Sequence, residues 1–153
     1  MRCLTRATGS EGLVGGETID ILSEGQPTDR DRLRVIHERK TGALIAASCE
    51  IGGILGGAGE GEAMRLWRYG RNVGLAFQIA DDILNVTSTQ EQLGKSAGSD
   101  SQRGKATYPA LYGLDSSRAA ARDSAEAGIA ELEGFENIDF LIAVARYAVE
   151  RLN

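Results

Sequence analysis

Residues 60–86 read EGEAMRLWRYGRNVGLAFQIADDILNV, and this stretch decides the fold. Its apolar and small residues return every three or four positions, which is the period of one face of an α-helix. They are Leu66, Tyr69, Val73, Ala76, Phe77, Ala80 and Leu84. No proline interrupts the stretch, so the pattern predicts a single long amphipathic helix over 60–86.

Helical patterns flank this stretch on both sides, whereas strand patterns are weak. We expect further helices over 12–23, 28–56, 108–112, 115–132 and 138–152, with a polar loop over 87–106. The periodic positions of the 28–56 helix are Leu33, Ile36, Thr41, Leu44, Ile45 and Ser48. Thr28 is its expected N-cap, the Asp-Ser-Ser run at 115–117 offers N-caps for the 115–132 helix, and Gly134 should stop that helix. The chain is therefore predicted to be all-α and, lacking repeats and linkers, to form a single domain over residues 1–153.

The composition is that of a soluble globular protein, with 42% hydrophobic and 25% charged residues among 153. A net charge of −5 argues against a nucleic-acid-binding protein, which would present clustered Lys and Arg. Cys3 and Cys49 predict free thiols, because two isolated cysteines form neither a disulfide framework nor a CxxC metal site. No apolar run approaches the roughly 20 residues that span a bilayer, and no signal peptide is evident, so a cytoplasmic protein is expected.

Glycine is unusually frequent, with 20 residues concentrated near 9–16 and 52–61. Such clusters are typical of helix ends and of places where two helices approach closely. We expect the glycines to mark both.

One face of the long helix carries oxygen-bearing side chains. Gln78, Asp81, Asp82 and Asn85 stand at i, i+3, i+4 and i+7, so they line the same side over two turns. Adjacent carboxylates repel each other, and a divalent cation such as Mg²⁺ relieves that repulsion. Because Mg²⁺ takes few protein carboxylates and completes its shell with water and phosphate, a diphosphate is the expected ligand. An isolated Asp-Asp pair on a solvated helix face is the simpler alternative.

Three lysines could supply positive charge to that diphosphate. Lys95 and Lys105 follow the acidic pair in the glycine-containing segments GKSAGSD (94–100) and GKATYP (104–109), and Lys40 precedes it beside Thr41. A lysine on glycine-punctuated backbone can neutralise phosphate oxygens as a point charge. Each lysine alone is more typical of a solvated surface, whereas the set together indicates an anion site.

These segments, together with GLVGGETIDI (12–21), HERKTGAL (37–44) and FQIADDILNVT (77–87), stand in the order seen in one enzyme family. The chain resembles the trans-isoprenyl diphosphate synthases, or polyprenyl synthetases, and most of all the geranylgeranyl diphosphate synthases of plants and cyanobacteria. The resemblance implies the C-terminal part of the isoprenoid synthase helical bundle. It also implies a Mg²⁺-dependent condensation of isopentenyl diphosphate with an allylic diphosphate.

The resemblance further implies a role for each motif residue. Asp81 would coordinate Mg²⁺, with Asp82 supporting it directly or through water. The diphosphate would contact Lys40, Lys95 and Lys105, while Thr41 and Gln78 would face the reacting carbon atoms. The secondary positions are Asp20, near the site, and Asn85, at the end of the acidic motif. His37 is expected to be structural, because no carboxylate stands at a defined spacing from it.

Three departures from the family pattern affect these expectations. Asn85 stands where the family usually has a third Asp, and Glu17 stands where it usually has Gln, which would weaken diphosphate binding unless Glu17 is paired. The first Asp-rich motif and the isopentenyl diphosphate site have no counterpart in the chain. We therefore expect an incomplete C-terminal portion, inactive alone, that works as a homodimer or as a heteromer with another synthase chain. A non-catalytic partner subunit is the alternative, and a helical bundle that has lost its function is a third.

Overall fold

The computed structural model describes residues 2–27, 29–87 and 106–150, and every regular element within them is helical. The elements are α1 (Arg2–Thr8), α2 (Leu13–Ser23), α3 (Arg30–His37), a π turn (Glu38–Gly42), α4 (Ala43–Leu55), α5 (Glu60–Thr87), α6 (Tyr108–Tyr112), α7 (Leu114–Ala130) and α8 (Asp139–Glu150). The predicted all-α class is confirmed. The expected loop over 87–106 lies almost wholly outside the described residues, and none of the described helices is long and apolar enough to cross a membrane.

Helix α5 lies at the centre of the fold, because α4, α7 and α8 all pack against it. Its N-terminal half contributes to a first group of buried side chains, which is Leu66, Tyr69, Val73, Leu132, Ala145 and Ala148. Its C-terminal half contributes to a second group, which is Leu33, Ile79, Ile83, Tyr108 and Ala121. In the second group, Ile79 and Ile83 are almost completely buried. They lie on the core-facing side of the same turns of α5 that carry the acidic pair. The predicted long helix is confirmed to within one residue.

Glycines allow α4 and the π turn to contact α5 almost backbone to backbone. A Cβ atom added to Gly70 would lie 2.7 Å from the Cα of Ala46, and one added to Gly74 would lie 2.8 Å from the Cα of Gly42. Both distances are shorter than any real contact between carbon atoms, so only glycine fits at these two positions. Gly70 and Gly74 lie outside the two glycine clusters of the sequence. The expectation that those clusters mark close helix contacts is confirmed at Gly16, where an added Cβ would lie 2.7 Å from the Cα of Lys40.

The π turn changes which residues of the 28–56 helix face the core. Leu33, His37, Gly42 and Ala46 are all buried, and their spacing is four, five and four residues. A π turn holds one residue more than an α turn, so every residue beyond it is shifted by one position. Beyond residue 40 the residues that face the core are therefore Gly42, Ala46 and Ala47, whereas Thr41 is only half-buried and Ser48 is exposed.

Two helix caps also differ from expectation. Asp29 is the N-cap of α3, and its side chain accepts a hydrogen bond of 2.8 Å from the Arg32 amide, whereas Thr28 lies outside the described residues. Helix α7 begins at Leu114 after Gly113, whose φ of 82° requires glycine. The Ser117 hydroxyl of the predicted cap instead donates to the Gly113 carbonyl, 2.7 Å away.

Gly52 should be replaceable with a gain in stability. It lies within α4 on the exposed surface, and a Cβ atom there would meet nothing within 4 Å. We expect Gly52→Ala to raise the free energy of unfolding by about 0.5–1 kcal/mol, because alanine loses less backbone entropy on entering a helix. Urea denaturation measures this difference. Gly53→Ala is the matched contrast, since its Cβ would press on the Leu66 side chain, and an equal gain in both variants would contradict this packing.

Candidate functional site

Lys40 is held between two carboxylates of α2. Its Nζ atom lies 2.7 Å from Glu17 Oε2 and 2.7 Å from Asp20 Oδ2. Helix α2 reaches this position because Gly16 packs directly on the π turn, where an added Cβ would lie 2.7 Å from the Cα of Lys40. Partial burial lowers the pKa of Lys40, but the hydrogen bonds to Asp20 and Glu17 outweigh it and raise the pKa overall. Lys40 is therefore a charged and oriented donor.

The two aspartates of the acidic pair lie in different environments. Asp81 is exposed, and among the described residues its carboxylate makes no hydrogen bond or ion pair. Asp82 is half-buried, and its Oδ2 atom accepts a hydrogen bond of 2.8 Å from the Tyr108 amide. The same oxygen lies 3.4 Å from His37 Nε2. Asp82 thus contacts both the end of α3 and the start of α6.

A row of stacked side chains supports this contact. The His37 ring stacks on Tyr108 with 5.8 Å between centroids, and Tyr108 stacks on Tyr112 at 4.7 Å. The guanidinium of Arg30 lies 4.6 Å from the Tyr112 ring centroid, at a distance typical of cation–π contacts. The row runs from the surface of α3, through α6, to the acidic pair on α5. It fixes α6 relative to α3, which leads into the π turn that carries Lys40, and relative to α5, which carries Asp82.

The structure brings several of the sequence-predicted residues into one polar cluster. His37 contacts Asp82 and lies close enough to Asp20 and Lys40 for both charges to shift its pKa. Thr41 lies in the π turn beside Lys40, and Gln78 and Asn85 lie on α5 with the acidic pair; all three are half-buried. Lys95 and Lys105 fall outside the described residues.

Two residues have partners that the sequence did not indicate. His37 was expected to be structural because no carboxylate stands at a defined spacing from it, but the structure brings Asp82 against it across 45 positions of chain. Glu17 was expected to weaken the anion site unless paired, and it is paired with Lys40. Spacing along one helix could not reveal either contact, since both join residues of different helices. The only sequence signal was the Gly15-Gly16 pair, which marked a close helix approach just before Glu17.

Asp81 and Asp82 are the residues of this cluster that could hold a metal ion. No group of three His, Cys, Asp or Glu residues within the described ranges could hold a metal ion. Magnesium needs only one or two carboxylates and completes its octahedron with water and phosphate. Asp81, exposed and without an internal partner in those ranges, suits that role, with Asp82 beside it.

We expect the free energy of unfolding to fall as the pH falls from about 7 to about 5. Burial lowers the pKa of His37 from 6.5 to about 4; the charge of Asp20 opposes this shift and that of Lys40 adds to it. Between these values the unfolded chain binds a proton that the folded chain does not, so acidification favours unfolding. At pH 5 the loss is about 2 kcal/mol, which urea denaturation across this range would measure.

His37 is the only histidine in the sequence, so a single substitution provides the control. His37→Gln should flatten the dependence between about pH 7 and 5. An equally steep dependence in that variant would assign the effect to carboxylates instead.

The chain resembles proteins of known activity in both sequence and fold. The family described as Polyprenyl synthetase matches residues 1–141. The chain is 47% identical over 150 residues to a dimethylallyltranstransferase of Fischerella ambigua, which covers 97% of this chain and 43% of that protein. It is 45% identical over 146 residues to a geranylgeranyl diphosphate synthase of Cyanophora paradoxa, covering 94% of this chain and 49% of that one.

A solved structure extends the likeness to the fold. The geranyltransferase of Helicobacter pylori, in complex with magnesium and isoprenyl diphosphate, superposes with a TM-score of 0.77 at 29% identity, over 97% of this chain and 49% of that chain. The chain thus spans about half the length of the relatives it matches.

Proposed function

Because the chain belongs to the polyprenyl synthetase family, we propose that it forms the C-terminal part of a trans-prenyl diphosphate synthase of the geranylgeranyl type. Its substrates would be an allylic diphosphate and isopentenyl diphosphate. The observation that carries the proposal is the cluster of a charged Lys40, paired with Glu17 and Asp20, next to the His37–Asp82 contact at the acidic pair. Such a cluster offers positive charge and carboxylate ligands together, as a metal-bound diphosphate requires.

In the proposed reaction the allylic carbon–oxygen bond breaks and its electron pair leaves with the diphosphate. The double bond of isopentenyl diphosphate attacks the allylic carbon, and loss of a proton restores a double bond. Magnesium held at Asp81 would supply positive charge against the leaving diphosphate. Lys40 would donate a hydrogen bond to a phosphate oxygen, exchanging one of its two carboxylate partners for that oxygen.

Thr41 and Gln78 would face the reacting carbon atoms. Both are half-buried, and each carries a neutral oxygen that can stabilise positive charge without reacting with it. Gly42, next to Thr41, packs against Gly74, one turn before Gln78, so the two side chains lie near the same part of the contact between α5 and the π turn. Lys95 and Lys105 would add further contacts to the diphosphate.

A chimeric enzyme tests the proposal. The segment of the Fischerella ambigua relative that this chain matches is replaced by this chain, and the purified protein is supplied with labelled isopentenyl diphosphate, an allylic diphosphate and Mg²⁺. We expect a labelled, elongated allylic diphosphate whose formation stops when Mg²⁺ is chelated. A folded chimera without activity, beside an active parent, would contradict the proposal and favour a non-catalytic partner subunit. The expected homodimer or heteromer stays a prediction, which light scattering on the same samples checks.

A further inference from the structure

Asp82 differs from Asp81 because one of its carboxylate oxygens, Oδ2, contacts other residues of the chain. Oδ2 of Asp82 accepts from the Tyr108 amide at 2.8 Å and lies 3.4 Å from His37 Nε2, and the side chain is only 13% exposed. The Tyr108 amide belongs to the first turn of α6, where no helical carbonyl can accept it. Asp82 therefore joins α5 to α6 and to the end of α3.

The His37 ring is buried with its Nε2 atom directed at Asp82. Its side chain is 6% exposed, and its Nδ1 atom is buried without a hydrogen-bond partner among the described residues. Its ring lies nearly parallel to the Tyr108 ring, with 5.8 Å between centroids, and this packing limits rotation about the side-chain bonds. Since Nε2 is the only ring nitrogen next to an acceptor, the geometry assigns the proton of the neutral ring to Nε2. Burying the His37 ring with Nδ1 unpaired costs folding free energy. A role for Nε2 in holding Asp82 would explain why a histidine is kept at this position.

We infer that Asp82 and His37 are positioning residues, which hold the end of α5 so that Asp81 is the carboxylate offered to magnesium. This inference rests on the proposed function. It makes Asp81 the metal ligand and Asp82 the residue that positions it. Outer contacts of this kind orient metal ligands, and their loss typically weakens metal affinity about 10–100-fold. The competing assignment makes Asp82 a second direct ligand through its other oxygen.

Metal binding distinguishes the two assignments. The chimeric enzyme is titrated with Mn²⁺ in the presence of inorganic pyrophosphate. Electron spin resonance measures the Mn²⁺ that remains free, and the bound fraction gives the affinity. We expect Asp81→Asn to abolish binding and Asp82→Ala to weaken it about 10–100-fold. Asp82→Asn should restore most of the affinity, because an amide oxygen still accepts from the Tyr108 amide. Loss of binding in Asp82→Asn as complete as in Asp81→Asn, with folding intact, would overturn the inference.

Two substitutions of His37 separate its polar contact with Asp82 from its packing. His37→Gln keeps an N–H donor toward Asp82 but cannot stack, whereas His37→Phe keeps a ring on Tyr108 but loses the donor. If His37 positions Asp82, the Mn²⁺ affinity falls in His37→Phe and is largely rescued in His37→Gln. The reverse order would show that only packing matters and would overturn this role.

Amide hydrogen exchange tests the Asp82 contact without any metal. In this chain, Asp82→Ala should speed exchange of the Tyr108 amide at least about tenfold, as expected when a hydrogen bond worth about 1.5 kcal/mol is lost. Asp81→Ala is the matched control and should leave that amide unchanged. Unchanged exchange in Asp82→Ala would overturn the inference. Failure of the unsubstituted chimera to bind Mn²⁺ would instead contradict the proposed function, so the two failures are distinguishable.

Discussion

Asp81→Ala in the chimeric synthase is expected to lower turnover by about 100–1000-fold, or about 3–4 kcal/mol in the barrier. The reason is electrostatic, because in the proposed reaction this carboxylate would hold the cation that faces the charge of the departing diphosphate. The fold should be unaffected, since Asp81 is exposed and has no hydrogen bond or ion pair within the described ranges. Steady-state rates with saturating substrates and Mg²⁺ measure the effect.

Asp123→Ala is the matched control for this loss. Asp123 is an exposed acidic residue on α7, so its removal changes the net charge by the same amount. We expect its turnover to stay within about twofold of the parent, as surface changes usually do. Equal losses in the two variants would mean that net charge, and not metal binding, decides activity. Retention of full activity by Asp81→Ala would show that the acidic pair is only a solvated helix face.

Gly16→Ala is expected to destabilise the fold and to displace Lys40 at the same time. An added Cβ would lie 2.7 Å from the Cα of Lys40 and 2.8 Å from the carbonyl carbon of Arg39. Backbone atoms must move to relieve this clash, so the cost should lie near the upper end of overpacking effects, at about 3 kcal/mol. Because Glu17 and Asp20 reach Lys40 only while α2 rests on the π turn, the ion pairs should be lost as well.

Urea denaturation measures the stability loss, and turnover of the chimera measures the displacement of Lys40. Gly61→Ala is the control, because Gly61 is also helical but a Cβ atom there meets nothing within 4 Å. That variant should be as stable as the parent or slightly more so. A Gly16→Ala protein of unchanged stability would contradict the close approach of α2 to the π turn.

Much of the fold could be predicted because it follows from local periodicity. The apolar spacing of 60–86 predicted α5 to within one residue of its end at Thr87, and 108–112 matched α6. The π turn could not be predicted, since Thr41, Leu44 and Ile45 continue a regular helical spacing. What overrode that spacing was packing: Gly42 had to lie against Gly74, and one extra residue in the turn places it there.

In the candidate site, too, some residues could be predicted from the sequence and others could not. Resemblance to the family named Asp20, Lys40 and the acidic pair, and the structure places Asp20 on Lys40. Resemblance did not indicate that His37 lies against Asp82, because nothing in a linear sequence relates residues 45 positions apart on different helices. Partners of this kind depend on helix register, which is decided by glycine contacts and by the π turn.

The π turn also makes this chain sensitive to the loss of a single codon. Removing one residue between Glu38 and Gly42 in frame would convert the wide turn into an ordinary one, and α3 would rotate by roughly 100° about its axis. Helix content, composition and net hydropathy would scarcely change, and both aspartates would remain, so a one-residue gap in a sequence alignment would be the only visible sign of such an allele. Yet Leu33 and His37 would turn away from α5, and Asp82 would lose its neighbour. A gapless alignment through 38–42 is therefore a better sign of a working homologue than the presence of the two aspartates.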